Sequence, residues 1–79
     1  MDAVQEEMQT QVIQLGAMTL ITDHWPTLSQ LEKAYLEAAL EHTHGSQWKA
    51  AEILGITRWT VSRRIQRYAI DFKRWYERR

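Results

Sequence analysis

The sequence predicts an all-α domain of four helices, on three observations. Apolar residues recur at steps of three and four through most of the chain, the spacing of a helix face. Gly45 and Gly55 each close such a stretch, and a hydroxyl residue able to cap the next helix follows within two positions, Ser46 and Thr57. No alternating strand pattern of useful length stands out, and no Asn-Gly or Asp-Gly pair marks a hairpin. The 79 residues allow one domain with a small core, to which a partner surface would add stability.

Val4, Met8, Val12 and Leu15 form the first stripe, so a helix is expected over residues 2–15, with Gly16 as its end. Residues 17–25, AMTLITDHW, have no clean period; Thr and Ile there suggest a connector or an extended piece. Trp25 precedes Pro26 and is pushed away from helical geometry. Thr27 then opens a helix with a capping box, Thr27-Leu-Ser-Gln30, although Ser29-x-x-Glu32 offers a rival register. Leu28, Leu31, Tyr35 and Ala38 make one stripe on it, and Leu36, Ala39 and Leu40 widen that stripe beyond what a short helix needs. His42 falls in the last turn and Gly45 just after it. Ser46 caps a helix over Gln47 to Leu54, with Ala50, Ala51, Ile53 and Leu54 turned inward. Gly55 stops it, and Thr57 caps the last regular helix, from about Arg58 to Tyr68, whose core-facing residues are Val61, Ile65 and Tyr68.

The formal charge is zero, but it is unevenly placed. Residues 1–44 hold seven acids and one base, a net of −6, while residues 45–79 hold nine bases and three acids, a net of +6. A basic C-terminal half suggests a polyanionic partner; the two halves could also attract one another within the fold. With no cysteine there is no disulfide framework and no thiolate metal site. The acidic start, MDAVQEEMQ, is not a signal peptide, and Val12 to Ile21 is too short to span a bilayer. His42-x-His44 points to different faces of a helix end and no acid completes a metal set, so the histidines read as solvated. Nothing pairs a nucleophile with a base, and no Gly-rich loop cradles phosphate, so neither an enzyme nor a cofactor is expected.

The segment ILGITRWTVSRR carries the functional signal. A helix-turn-helix needs small residues where its helices approach, and Ala50 and Ala51 supply them. It needs a residue tolerant of positive φ in the turn, which is Gly55. An apolar residue should plug the elbow, which is Ile56. With Val61 anchoring the second helix, its outer N-terminal residues are free for a major groove. Arg58 is suited to guanine O6 and N7, a contact worth about 1–3 kcal/mol of discrimination, while Lys49, Arg63 and Arg64 suit phosphate.

Those residues, in the run GSQWKAAEILGITRWTVSRRIQRYAI, resemble the Fis-type helix-turn-helix. This module ends the sigma-54-dependent transcriptional activators of the NtrC class and forms the body of the nucleoid protein Fis. The matching positions are Gly45, Ala50, Ala51, Leu54, Gly55, Ile56, Arg58, Thr60, Arg63, Ile65, Tyr68 and Ile70, and PTLSQLEKAYLEAALEHTHG is similar to the preceding helix. Ser46, Trp59 and Ala69 depart from the family's frequent residues.

The resemblance implies a cytoplasmic, nucleoid-associated bacterial regulator that binds double-stranded DNA at an inverted repeat as a homodimer. By family position Arg58 would reach bases, and Thr57, Thr60, Ser62, Arg63 and Arg64 bases or phosphates; Lys49, Trp59 and Arg67 join these candidate DNA contacts from the same outer and basic surface, and the candidate dimer interface is Leu28, Leu31, Tyr35, Leu36, Ala39 and Leu40. By this reading residues 1–25 are an N-terminal helix and connector, for dimerisation or as a linker, residues 26–70 the helix-turn-helix domain, and residues 71–79 a basic extension. Absence of GxxxxGK[ST] means that any ATPase domain lies elsewhere in a longer chain, and an excised domain is favoured over a stand-alone regulator. The alternative is a protein-interaction module whose basic helix docks on an acidic partner; RNA binding by the same surface is a third reading. Trp48, Trp59 and Trp75 could stack on bases, with packing or sugar-phosphate contact preferred.

Overall fold

The computed structural model describes residues 10–76, with Tyr76 placed by its backbone alone. Two strands, β1 (Gln11–Leu15) and β2 (Met18–Thr22), precede four helices among the described residues. These are α1 (Leu28–His42), α2 (Gln47–Leu54), α3 (Arg58–Arg67) and α4 (Lys73–Tyr76).

The strands correct the expectation of an all-α chain with a helix over residues 2–15. Val4 and Met8 lie outside the described residues, but Val12 and Leu15 are strand residues. The strands pair antiparallel with Leu15 opposite Met18, so Gly16 and Ala17 form a two-residue turn. Gly16 has φ +62°, the positive value that such turns require at their first central position. β-Branched Val12, Ile13, Thr19, Ile21 and Thr22 favour the extended state. The alternation was hidden because both faces of the hairpin carry apolar side chains. Ile13 is buried, while Val12 and Ile21 face each other as an exposed cross-strand pair.

The capping box at Thr27 forms as expected. Gln30 N donates to Thr27 Oγ1 at 3.1 Å and Thr27 N to Gln30 Oε1 at 2.8 Å, which excludes the register starting at Ser29. The broad apolar surface of α1 divides in two. Leu36, Ala39 and Leu40 enter the core, while Leu28 is 80% exposed and Tyr35 58% exposed. Leu40 and Val61 are fully buried and, with Ala50, Ala51, Ile65, Ile70 and Trp75, knit the helices together. Each buried Leu, Ile or Val side chain among these contributes about 1.5–3 kcal/mol.

Trp75 brings residues 71–76 into the domain: what was expected as a basic extension packs Phe72 and Trp75 onto the core. Their rings lie 5.6 Å apart at 58°. Ile53 and Ile56, expected inward, are both exposed, because the elbow turns them away from the small α1–α2–α3 core.

Candidate nucleic-acid interface

The two helices of the motif are joined by three residues. Gly55 is left-handed at φ 73°, ψ 29°. The amides of Gly55 and Ile56 both donate to the carbonyl of Ala51, at 2.8 and 3.1 Å, which satisfies the end of α2 and turns the chain sharply. Thr57 is extended, and its Oγ1 accepts from Thr60 N at 3.1 Å, which starts α3. Ala50 and Ala51 are buried where α2 meets α3, so the helices approach without large side chains between them.

Val61 and Ile65 point into the core, which turns the opposite side of α3 outward. Trp59, Arg63 and Arg67 are exposed there, Arg58 is exposed in the first turn, Thr60 and Ser62 are half-buried, and Lys49 is exposed on α2. Hydroxyls support part of this surface. Thr57 Oγ1 and Thr60 Oγ1 are 3.0 Å apart, and Arg63 Nη2 donates to Thr60 Oγ1 at 3.3 Å. Arg67 lies over the Tyr68 ring, 5.9 Å from its centroid. Arg64 differs from its neighbours: it turns back to ion-pair with Glu32 on α1 and so ties the outward-facing helix to the rest of the domain.

Of the residues expected at a dimer interface, Leu36, Ala39 and Leu40 are taken up by the chain's own core, Leu31 is half-buried, and Leu28 and Tyr35 remain toward solvent. The reason is that α2 and α3 must be covered by the one long helix available. An open cleft between β2 and α1 adds Leu20, Ile21, Pro26 and Ala34 to this uncovered side.

The sequence offers Trp48 only as a candidate for base stacking; its place beside Trp59 and the Glu32–Arg64 pairing escaped it. Trp48, 54% exposed at the start of α2, stands beside Trp59 in an open cleft with Ser46, Gln47, Arg58 and Ser62. An exposed Trp in the first turn was its only signal. The pairing of Glu32 with Arg64 had no local signal, since the two are distant in sequence.

A small-residue elbow, a capped second helix and an outward row of arginines define a helix-turn-helix DNA-binding domain. Residues 27–68 match the family model for bacterial regulatory proteins of the Fis family, and the chain belongs to that family. It is 30% identical over 70 residues to the DNA-binding protein Fis of Aeromonas hydrophila, covering 89% of this chain and 71% of that protein. It is 41% identical over 44 residues to the DNA-binding protein Fis of Buchnera aphidicola, covering 56% and 44%. Against the same protein of Aliivibrio fischeri it is 27% identical over 70 residues. No solved structure gives a significant match. Among the described residues no helix is long and apolar enough to cross a membrane.

Proposed function

We propose that the chain reads a specific duplex DNA sequence as a homodimer, with α3 of each copy in the major groove at one half of an inverted repeat. In this reading Arg58 contacts a base, while Lys49, Arg63 and Arg67 grip phosphate, with Thr57, Trp59, Thr60 and Ser62 lining the same surface. The exposed row of arginines on α3, held out by buried Val61 and Ile65, is the observation that carries it. Arg64 acts on this surface indirectly, through Glu32. Dimerisation is supported by the uncovered Leu28 and Tyr35, with half-buried Leu31 beside them, and by the apolar outer face of the hairpin.

The biological setting is a bacterial transcriptional regulator working in the cytoplasm on the nucleoid. Resemblance to the sigma-54-dependent activators covers residues 26–70, and in such a protein an ATPase domain would belong to the same chain. Similarity to proteins named Fis runs over 70 residues and so takes in more than the helix-turn-helix. That wider reach favours a Fis-like regulator over an activator fragment.

The test is retention of a random duplex pool across salt concentrations, with sequencing of what is held. Three phosphate contacts per copy give a dimer a slope of about −5 in log K against log salt. A steep slope with a two-fold symmetric enriched site is expected, and Arg58→Ala should lose the preference for that site while keeping salt-dependent binding to duplexes of other sequence. If no duplex is held at low salt, the proposal fails, and the basic helix is to be read instead as a docking surface for an acidic protein. Tyr35→Glu is the matching probe of the dimer, since it places a charge on an exposed face rather than in the core.

A further inference from the structure

Trp59 is the least expected residue on α3. It is 63% exposed, and it faces away from Val61 and Ile65 at the end of the helix that the elbow holds outward. A bare indole at such a place leaves about two-thirds of its surface in water. Arg58 covers part of it: the guanidinium carbon lies over the ring, 4.9 Å from its centroid. A guanidinium that stacks on a ring does so by its face. The five N–H donors lie in its plane and stay free at the edge. Arg58 can therefore keep its place on the indole while presenting a two-pronged edge to a guanine.

We infer that Trp59 is a specificity determinant, contacting the 5-methyl group of the pyrimidine next to the guanine read by Arg58. This rests on the duplex-reading function proposed above. Consecutive bases are spaced by about 3.4 Å along a strand. An arginine and an aromatic ring lying one over the other meet two neighbouring base pairs, not one pair twice. In the major groove, what an apolar side chain can read is the C5-methyl group, and guanine is what a bidentate arginine reads. The pair thus specifies a methylated pyrimidine–guanine step. Thymine–guanine and 5-methylcytosine–guanine both present that methyl, with different partner bases opposite. The open cleft between Trp59 and Trp48, edged by Ser46, Gln47 and Ser62, leaves room for the groove wall at this point.

The experiment uses the enriched duplex from the salt-dependent selection and changes single atoms in it. Deoxyuridine replaces the thymidine beside the guanine, which removes one methyl and leaves pairing intact. A parallel pair of duplexes carries cytosine or 5-methylcytosine at the same place. For the unaltered protein, each methyl should be worth about fourfold in affinity, the effect of burying one methyl-sized group. For Trp59→Ala the affinity should fall to that of the methyl-free duplex and no longer depend on the methyl in either pair. Melting of Trp59→Ala checks its fold, and Trp59→Phe should keep part of the effect. If the unaltered protein ignores the methyl, or Trp59→Ala still senses it, the inference is overturned. So it is if no pyrimidine–guanine step is enriched in the half-sites. All these failures occur with duplex binding intact, whereas failure of the DNA-binding reading itself shows as no retention of any duplex. If only the thymidine pair responds, or only the cytosine pair, the methyl is read in that one context and the inference holds for it.

Discussion

The indole Nε1 of Trp75 donates to Glu41 Oε1 at 2.9 Å, joining α4 to the outer side of α1 across 34 positions of sequence. Arg74 adds to the same join, its guanidinium lying over the Trp75 ring at 4.3 Å and 4.0 Å from the Glu41 carboxylate. The buried side chain of Trp75 closes the core against Gly45. The tail beyond the family match is therefore part of what holds the recognition helix in place.

Trp75→Ala is expected to cost about 3–5 kcal/mol, as for other buried aromatic truncations. In a domain this small that approaches the whole stability. Trp75→Phe keeps most of the apolar contact and loses the donor to a partly exposed carboxylate, at about 1 kcal/mol. Chemical denaturation of the two variants checks the order. Equal, small effects would mean that the tail is not structural.

Gly45, Gly55 and Ala69 are left-handed residues at the ends of three helices, and they differ in what a side chain would meet. A Cβ at Gly55 meets nothing within 4 Å, so Gly55→Ala costs only the backbone strain of φ 73°, about 1–2 kcal/mol. A Cβ at Gly45 would stand 2.6 Å from Trp75 Cβ at φ 87°, so Gly45→Ala costs about 2–5 kcal/mol. Ala69, at φ 53°, already carries the strain that a glycine avoids. Ala69→Gly should therefore stabilise the domain by about 1 kcal/mol. Melting temperatures should rank Ala69→Gly highest and Gly45→Ala lowest, and any other ranking contradicts the geometry.

Arg63 and Arg64 are adjacent in sequence and should differ in function. Arg63 faces solvent, and Arg64 is held by Glu32. Arg63→Ala should flatten the salt slope of duplex binding by about 0.9 per copy, and Arg64→Ala should barely change it. Glu32→Gln should release Arg64 and steepen the slope. Both side chains of the pair are partly exposed, so its loss should cost less than about 1 kcal/mol of stability. Equal slopes for the two arginine variants would show that Arg64 also reaches phosphate.

His24 sits before α1 with Nδ1 2.5 Å from Asp23 Oδ1 and Nε2 3.3 Å from Gln30 Oε1. The hydrogen bond to Asp23, then that to Gln30, raises its pKa above 6.5. Its contribution is therefore complete below 6.5 and is lost as pH rises through the raised value. Asp23 is shifted down, chiefly by its hydrogen bond to His24, so its contribution holds above the usual carboxylate range and is lost in acid. NMR titration should place the His24 midpoint above that of a free histidine, and Asp23→Asn should bring it down. A midpoint unmoved by Asp23→Asn would remove the pair as its cause.

Local chemistry alone determined the helix-turn-helix. Thr27 with Gln30, Ser46, Gly55 and Thr57 each act within about four residues of their partners, so caps and turns are written in adjacent letters. The arginines of α3 were legible for the same reason, since Val61 and Ile65 set which side faces out. The hairpin was not legible, because apolar residues on both of its faces hide the period of two and happen to match a helical spacing at Val12 and Leu15. Only the tertiary structure decided how the surface of α1 divides, Leu36, Ala39 and Leu40 inward and Leu28 and Tyr35 outward. It alone set Arg64 on Glu32 and Trp75 against Gly45 and Glu41. These contacts join residues about thirty positions apart, and such pairings arise from packing helices onto one core rather than from any pattern along the chain.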